Sequence, residues 1–126
     1  MGETYERQIA RVAELLRQPG RHWALTGAGI STESGIPDYR SPGTGLWGKM
    51  DPARVASAEA LERDPVFFFR MNLPRWSRIH EARPNAGHLA LARLEQAGLI
   101  QGVVTQNVDG LHTKAGSHRV YEVHGH

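Results

Sequence analysis

The chain has 126 residues, room for a single domain, and a formal net charge of only +2 at pH 7, from 15 Lys and Arg against 13 Asp and Glu. So small a charge gives no reason to expect a nucleic-acid or membrane partner. The sequence has no cysteine, which excludes disulfides and thiolate metal sites, and no apolar run of the roughly 18 residues that cross a membrane. Since residues 1–6 also lack the features of a signal peptide, we expect a cytoplasmic protein.

The first part of the chain predicts a helix, a strand and a long loop. Residues 4–18 have the apolar spacing of an amphipathic helix, which Pro19-Gly20 ends. Residues 22–26 form a short buried strand, and a loop with a first turn follows over 27–35. Residues 36–56 are rich in Pro and Gly and predict an irregular stretch, which at this length is usually functional.

The rest of the chain predicts two helices followed by two strands. Asp64-Pro65 is a good helix start, and Pro74 should kink or end that helix. Asn85 caps the next helix, which Gly98 closes. Strands follow over 99–105 and 120–123. This order predicts an α/β fold with a parallel sheet, whose third strand leaves an unpaired edge that can associate with another strand.

The most informative segment runs from Gly27 to Ser41. A turn of small residues directly after a strand lets backbone N–H groups approach a phosphate. Because Thr32 occupies the third position of the G-x-G-x-x-G spacing, the turn alone is weak evidence for a nucleotide. The carboxylate of Asp38 and the guanidinium of Arg40 would not be needed only to hold a phosphate.

Two further blocks carry polar side chains just after a predicted strand. In the first, Gln106, Asn107 and Asp109 lie where open α/β sheets bind ligands, although turn chemistry alone could explain them. In the second, His124 has the chemistry of a general base at neutral pH. His124 and His126 could instead hold a metal, but two histidines without a third ligand make a poor zinc site.

These three blocks, with Pro84-Asn85-Ala86-Gly87-His88 between them, resemble the sirtuins, the NAD-dependent protein deacylases, from about Arg21 to the last residue. The family usually has Phe where this chain has Tyr39 and Leu where it has Val123. The resemblance implies a Rossmann-like, sirtuin-type NAD-binding sheet with flanking helices. We therefore expect residues 1–126 to form an N-terminal portion of the catalytic domain, with a helical insertion at about 53–83. Family members continue into a four-cysteine zinc module, whose ligands are absent from this chain, and into the second half of the sheet.

The resemblance also implies a role for each site residue. Gly27, Ala28, Gly29 and Ser31 would line the pyrophosphate and ribose of NAD, with Ile30 against the nicotinamide. An isolated Ile would more often be plain core packing. Asp38 and Arg40 would order the loop over NAD, and Tyr39 would shield the reactive sugar carbon from water. Gln106 and Asn107 would hydrogen-bond the ribose, Val108 belongs to the same cofactor-binding block, and Asp109 would accept from the carboxamide.

The reaction implied is deacylation of lysine in a protein or peptide, with release of nicotinamide and transfer of the acyl group to ADP-ribose. His124 would deprotonate a ribose hydroxyl, and Asn107 would position the attacking water. Family members that prefer acidic acyl groups carry Tyr and Arg at the positions of Asn72 and Arg75, so this chain favours a neutral group such as acetyl. Two alternatives remain: an NAD- or ADP-ribose-binding module without turnover, and a protein ADP-ribosyltransferase.

Overall fold

The structure is a computed structural model that describes residues 4–38, 45 and 48–125. Its elements are helices and three short strands, and five of the helical elements lie between the first strand and the second. The helices are α1 (Tyr5–Arg17), a 3-10 helix (Ala28–Ser34), α2 (Pro52–Val55), α3 (Ala58–Arg63), α4 (Pro65–Glu81), α5 (Ala86–Gln96) and α6 (Leu111–Lys114). The strands are β1 (Ala24–Thr26), β2 (Val103–Thr105) and β3 (Val120–Glu122).

The three strands form one parallel sheet in the order β1-β2-β3, which confirms the predicted α/β architecture. Thr26, Thr105 and Glu122 are in register, so all three strands end at the same edge of the sheet. The strands predicted over 22–26 and 99–105 are both shorter in the structure. The expectation that the first is buried is wrong, because Leu25 points to the exposed face of the sheet. Within the described residues β3 pairs only with β2, so the predicted unpaired edge near residues 120–123 is present.

The two faces of the sheet differ in how they are covered. On one face Val103 and Thr105 are buried, and α6 reaches this face through His112, whose Nε2 lies 2.8 Å from Thr26 Oγ1. On the other face Leu25 and Tyr121 are 75% and 57% exposed. A parallel sheet usually buries both faces, so the second face presents apolar surface without a cover in this part of the chain.

Helix α1 forms as predicted but contributes no buried residue. Its apolar side chains include Ile9, Val12 and Leu15, each about half exposed. The helix lines a cavity together with Leu94 and Leu99 instead of packing tightly against them. The amphipathic pattern thus predicted the helix correctly, and its apolar face is only partly covered.

Helix α4 begins as predicted and ends later than predicted. The Asp64 carboxylate accepts a hydrogen bond from the backbone N–H of Phe67, as an N-cap does. The helix then continues through Pro74 to Glu81, so the expectation that Pro74 could end it is wrong. Aromatic contacts on either side of Pro74, such as Phe68 with Trp76 at 6.2 Å between ring centroids, help the helix tolerate the missing N–H.

Two short helices lie in the region of the expected helical insertion at about 53–83, but neither was predicted individually. Helix α2 lies inside the stretch expected to be irregular, and its first turn is capped by the Asp51 carboxylate, which accepts from the N–H of Ala53. Helix α3 is capped by Ser57. Helices α2, α3 and α4 contact one another, so tertiary packing stabilises helices too short to be stable alone.

Helix α5 has both predicted ends. Asn85 is its N-cap, and Gly98 follows its C-terminus in the left-handed conformation with φ of 71°. No helix in the described part of the chain is both long and apolar enough to cross a membrane. The cytoplasmic location stays a prediction.

Candidate active site

A cavity of about 460 Å³ opens where the three strands end. It brings together residues that follow β1, β2 and β3, because parallel strands present their carboxyl ends at one edge of the sheet. Its lining residues are Ala28, Gly29, Ser31, Ile36, Pro37, Asp38, Ile79, Gln106, Asn107, Val108, Asp109 and His124.

The 3-10 helix forms one wall of the cavity. It starts directly after β1, with Gly27 as N-cap, and ends at Gly35, whose φ of 83° favours glycine. The first N–H groups of a helix have no partner within it and are available to an anion. An added Cβ at Gly29 would meet no atom within 4 Å, so the backbone is open to the cavity at this position.

Ser31, Asn107 and Asp109 form a buried hydrogen-bonded group beneath the cavity. The Ser31 hydroxyl donates to Asp109 Oδ2 at 2.6 Å, and the backbone N–H of Leu111 donates to Asp109 Oδ1 at 3.0 Å. Asn107 Nδ2 donates to the Gly27 carbonyl and to Ser31 Oγ, at 3.0 and 3.1 Å. Because both of these bonds use the amide nitrogen, the side-chain oxygen of Asn107 remains to accept a hydrogen bond from a ligand.

Two fully buried histidines, His88 and His112, lie behind this group with ring centroids 4.9 Å apart. His88 Nδ1 accepts from the backbone N–H of Asn85, so its Nε2 carries the proton and faces Ser31 Oγ at 3.4 Å. Thr26 Oγ1 donates to Thr105 Oγ1, so His112 Nε2 donates to Thr26 Oγ1 at 2.8 Å. The donor count thus assigns the same neutral tautomer to both rings.

Burial lowers the pKa of both histidines. For His88, desolvation outweighs the Asp109 carboxylate, which acts in the opposite direction. For His112, desolvation again lowers the pKa, the neighbouring His88 lowers it further, and Asp109 opposes both. The two rings are therefore neutral hydrogen-bonding groups at neutral pH and do not bring positive charge to the cavity.

His124 has a different environment from the buried pair. It follows β3 directly, is exposed and lines the cavity. The 3-10 helix follows β1, so the two segments come from the two outer strands of the sheet. The turn that carries it is closed by the Gly125 N–H, which donates to the Glu122 carbonyl, with Gly125 at a φ of 81°. The imidazole is thus accessible to a ligand and to solvent, as a proton-transferring group must be.

The segments that follow the three strands and line the cavity all lie within a match to a known protein family. A model of the Sir2 family matches residues 27–126, which is most of the chain. The chain belongs to the Sir2 family.

Curated Sir2 relatives match almost all of this chain. The NAD-dependent protein deacetylase 2 of Caldanaerobacter subterraneus subsp. tengcongensis is 53% identical over 115 residues, which cover 91% of this chain and 46% of that protein. The NAD-dependent protein deacylase 2 of Pyrobaculum aerophilum is 50% identical over 114 residues, covering 90% and 45%. The chain therefore spans about half the length of the curated relatives it matches.

Solved Sir2 structures share the fold. One, described as a structural basis for the mechanism and regulation of Sir2 enzymes, has a TM-score of 0.86 and 44% identity, covering 95% of this chain and 47% of that one. A complex of Sir2 with a p53 peptide and NAD⁺ has a TM-score of 0.81 and 39% identity, covering 93% and 45%. The predicted fold class is thus confirmed.

Most residues of this Sir2 chain that were expected to bind a cofactor or act on a substrate line the cavity: Ala28, Gly29, Ser31, Asp38, Gln106, Asn107, Val108, Asp109 and His124. Gly27 and Ile30 are not among its lining residues; Gly27 contributes a carbonyl to Asn107, and Ile30 lies against Gly87 of α5. Tyr39, Arg40 and His126 lie outside the described residues.

The sequence interpretation missed three apolar lining residues and the buried contact between His88 and His112. Ile36, Pro37 and Ile79 line the cavity, and no local pattern distinguishes them from core residues. His88 and His112 each belong to a block of residues that supported the resemblance, and this membership could have identified them as part of the site. Among the described residues, no group of three or more His, Cys, Asp or Glu side chains could hold a metal.

Asn72 does not line the cavity. It is 3% exposed, and its Nδ2 donates to the carbonyls of Val55 and Phe68 at 2.7 and 2.8 Å. The bond to Val55 ties α4 to the end of α2, and the bond to Phe68 lies within α4. Asn72 therefore acts within the helical segment, and Ile79, one turn beyond Arg75, is the α4 residue that reaches the cavity.

Proposed function

We propose that the protein to which this sequence belongs is an NAD-dependent protein lysine deacylase. The observation that carries the proposal is the convergence of Ser31, Asn107, Asp109 and His124, from three separate segments, on one cavity. The names of the curated relatives support the same activity. Because the chain spans half of those relatives, the activity of the complete protein is a proposal and not a property of these residues alone.

The described residues fit a dinucleotide. One wall has the exposed start of a helix and an open glycine, which suit a pyrophosphate. The segment after β2 offers the Asn107 oxygen and the buried Asp109 carboxylate, which accept hydrogen bonds and suit ribose hydroxyls and a carboxamide. We assign Ala28, Gly29 and Ser31 to the phosphates and adjoining ribose, and Gln106, Asn107, Val108 and Asp109 to the nicotinamide riboside. Gly27 supports this set through its carbonyl, and Ile30 supports it from behind.

NAD, when bound, supplies the sugar carbon at which nicotinamide is exchanged for the acyl oxygen. The protein's own residues position the substrates and move protons. We assign His124 as the base that takes a proton from a ribose hydroxyl, because it is the accessible histidine in the cavity. Asn107 Oδ1 can accept a hydrogen bond from water and so orient it for attack. Asp38, with Tyr39 and Arg40, would close the site against bulk water.

We further propose acetyl-lysine in a protein or peptide as the substrate. The Sir2 complex with a p53 peptide and NAD⁺ supports a peptide substrate in the family. At the family's acyl-selective positions, Asn72 is engaged with backbone carbonyls inside the helical segment, so it is not available to a charged acyl group. The apolar Ile79 in the cavity wall is compatible with a small neutral acyl group.

The first experiment measures nicotinamide release by the 126-residue chain with NAD, with and without an acetyl-lysine peptide. Mass spectrometry then follows the peptide. Peptide-dependent release with loss of the acetyl mass would establish deacetylation by this chain. A gain of ADP-ribose mass would instead identify ADP-ribosyl transfer. Binding of NAD by folded chain without any release would restrict the chain to a binding module and leave the activity with the complete protein.

We predict that His124→Ala in the complete enzyme lowers kcat for deacetylation by at least about 100-fold, since general base catalysis contributes about 10²–10⁴. NAD affinity should stay within about twofold, because the other assigned contacts are unchanged. Calorimetry and a peptide deacetylation assay measure the two quantities. His118→Ala, at an exposed position outside the cavity lining, is the control. Wild-type turnover by the His124 variant would remove this residue as the base.

A further inference from the structure

The side chain of Asn85 joins two elements that meet at the back of the cavity wall. Its Oδ1 accepts from the backbone N–H of Gly87 at 2.9 Å and so caps α5. Its Nδ2 donates to the Ile30 carbonyl at 2.7 Å and to Ser34 Oγ at 3.0 Å, both in the 3-10 helix. The acceptor role of Oδ1 at the helix cap fixes which end of the amide is nitrogen.

The orientation of Asn85 is itself fixed by α5. The Asn85 N–H donates to His88 Nδ1 at 3.2 Å, which completes a reciprocal capping box around the first turn. His88 is fully buried, so this contact has no competition from solvent. The Asn85 amide therefore reaches the 3-10 helix from a rigid base.

An apolar contact accompanies the hydrogen bonds. A Cβ added at Gly87 would lie 3.4 Å from Ile30 Cγ1, so the Ile30 side chain packs closely over the bare backbone of α5 at this position. Ile30 is thus held through both its carbonyl and its side chain. The residues on either side of it, Gly29 and Ser31, line the cavity.

We propose that Asn85 is a positioning residue that clamps the 3-10 helix onto α5 and so holds the phosphate-facing turn ready for the nucleotide. Asn85 is not among the cavity-lining residues, so it acts through Ile30 and Ser34 and does not touch the ligand. A turn that is already ordered loses less conformational entropy on binding, which raises affinity. The inference deepens the proposed function, on which its nucleotide part rests.

The test replaces Asn85 with aspartate. A carboxylate is as good an N-cap as an amide, so α5 keeps its cap. It cannot donate to the Ile30 carbonyl, which is left facing an anion. Asn85→Asp thus removes the Ile30 bond of the clamp and keeps the cap, while the Ser34 hydroxyl can turn to donate to the carboxylate. Asp64→Ala, which removes the N-cap of α4 outside the cavity, is the control for a general loss of stability.

Two measurements on the 126-residue chain are needed. Amide hydrogen exchange of the unliganded chain reports on residues 30–36 and, separately, on α5. Calorimetry with ADP-ribose reports on nucleotide affinity. For Asn85→Asp we expect exchange about tenfold faster over 30–36, unchanged protection in α5, and affinity about tenfold weaker, as the loss of the part-buried hydrogen bond to the Ile30 carbonyl implies. Asp64→Ala should leave both readouts as in the wild type.

Unchanged exchange over 30–36, or unchanged affinity in the presence of faster exchange, would overturn the clamp. Loss of protection across α5 as well would mean that position 85 acts only on helix stability, which also overturns it. If the wild-type chain binds no ADP-ribose but Asn85→Asp still frees residues 30–36, the clamp is supported and the proposed nucleotide site fails. Ser34→Ala, which removes one acceptor and keeps the Ile30 contact, should give a smaller change in the same direction.

Discussion

Ser31 is the residue on which the polar contacts beneath the cavity converge. It donates to Asp109, accepts from Asn107, and faces the proton on His88 Nε2. A buried polar group without a partner costs about 1–3 kcal/mol, so each member of this network depends on the others for its stability. The arrangement holds a carboxylate and an amide oxygen at fixed positions, which is the requirement for binding a polar ligand with specificity.

The neutral state of His88 and His112 predicts a stability that depends on pH. Both pKa values are lower in the folded chain than the value of about 6.5 in the unfolded chain, so the unfolded chain takes up protons first as the pH falls. The free energy of unfolding should therefore be highest above pH 6.5. It should fall below that pH by up to about 1.4 kcal/mol per pH unit for each histidine.

Urea denaturation between pH 7.5 and pH 5 checks this dependence. His88→Asn should reduce the slope, since one of the two titrating groups is gone. His118→Gln, at an exposed site, should retain it. A free energy of unfolding that rises as the pH falls through 6 would contradict the assignment of two buried neutral rings.

At the scale of elements, the close approach of β2 to its neighbours depends on Gly102. The Ala24 N–H donates to the Gly102 carbonyl, and the Val103 N–H donates to the Arg119 carbonyl at 2.8 Å. A Cβ at Gly102 would lie 2.6 Å from Arg119 Cβ and 3.0 Å from the Trp23 ring, and would overlap the Arg119 carbonyl oxygen. Because glycine has no side chain, the backbone on either side of Gly102 can approach closely enough for the three strands to pair from their first residues.

We predict that Gly102→Ala lowers the free energy of unfolding by about 2–3 kcal/mol, because backbone and not a flexible side chain blocks the added methyl group. Thermal and urea denaturation measure the change. Gly48→Ala is the matched control, since a Cβ there meets no atom within 4 Å, and it should be close to neutral. Equal stability of the two variants would show that β2 and the segment before β3 can separate freely.

At the scale of the whole molecule, the apolar surface is distributed unevenly. The face of the sheet that bears Leu25 and Tyr121 is exposed, with Trp23 beside them at 5.6 Å from the Tyr121 ring. Helix α1 adds a second half-exposed apolar face. Contiguous apolar surface of this kind promotes association, and the outer edge of β3, unpaired within the part of the chain that the structure describes, adds to the tendency.

We predict that Leu25→Lys reduces self-association of the 126-residue chain and leaves its thermal midpoint within a few degrees. The side chain is 75% exposed, so the substitution removes apolar surface without opening a cavity. Sedimentation velocity over a range of concentrations measures the effect. Ser77→Lys adds the same charge at an exposed position of α4 and should change little. Association that is identical in all three proteins would show that this face is not involved.

The sequence by itself determined the features that depend on neighbours along the chain. The caps at Asp64, Asn85 and Gly98 were predictable because each is a local contact within a few residues. The resemblance identified the family from short blocks of residues. The rule that parallel strands end at one edge then predicted that the polar residues after each strand lie near one another.

Only the tertiary structure decided which atoms those residues present. Ser31 and Asp109 are 78 positions apart, and their 2.6 Å hydrogen bond, together with the bonds of Asn107 Nδ2, leaves the Asn107 oxygen for a ligand. Tertiary packing also places Ile30 against α5, continues α4 through Pro74 and brings His88 into contact with His112. The physical reason is that local propensities are worth tenths to about one kcal/mol, whereas burial and long-range hydrogen bonds between distant segments outweigh them.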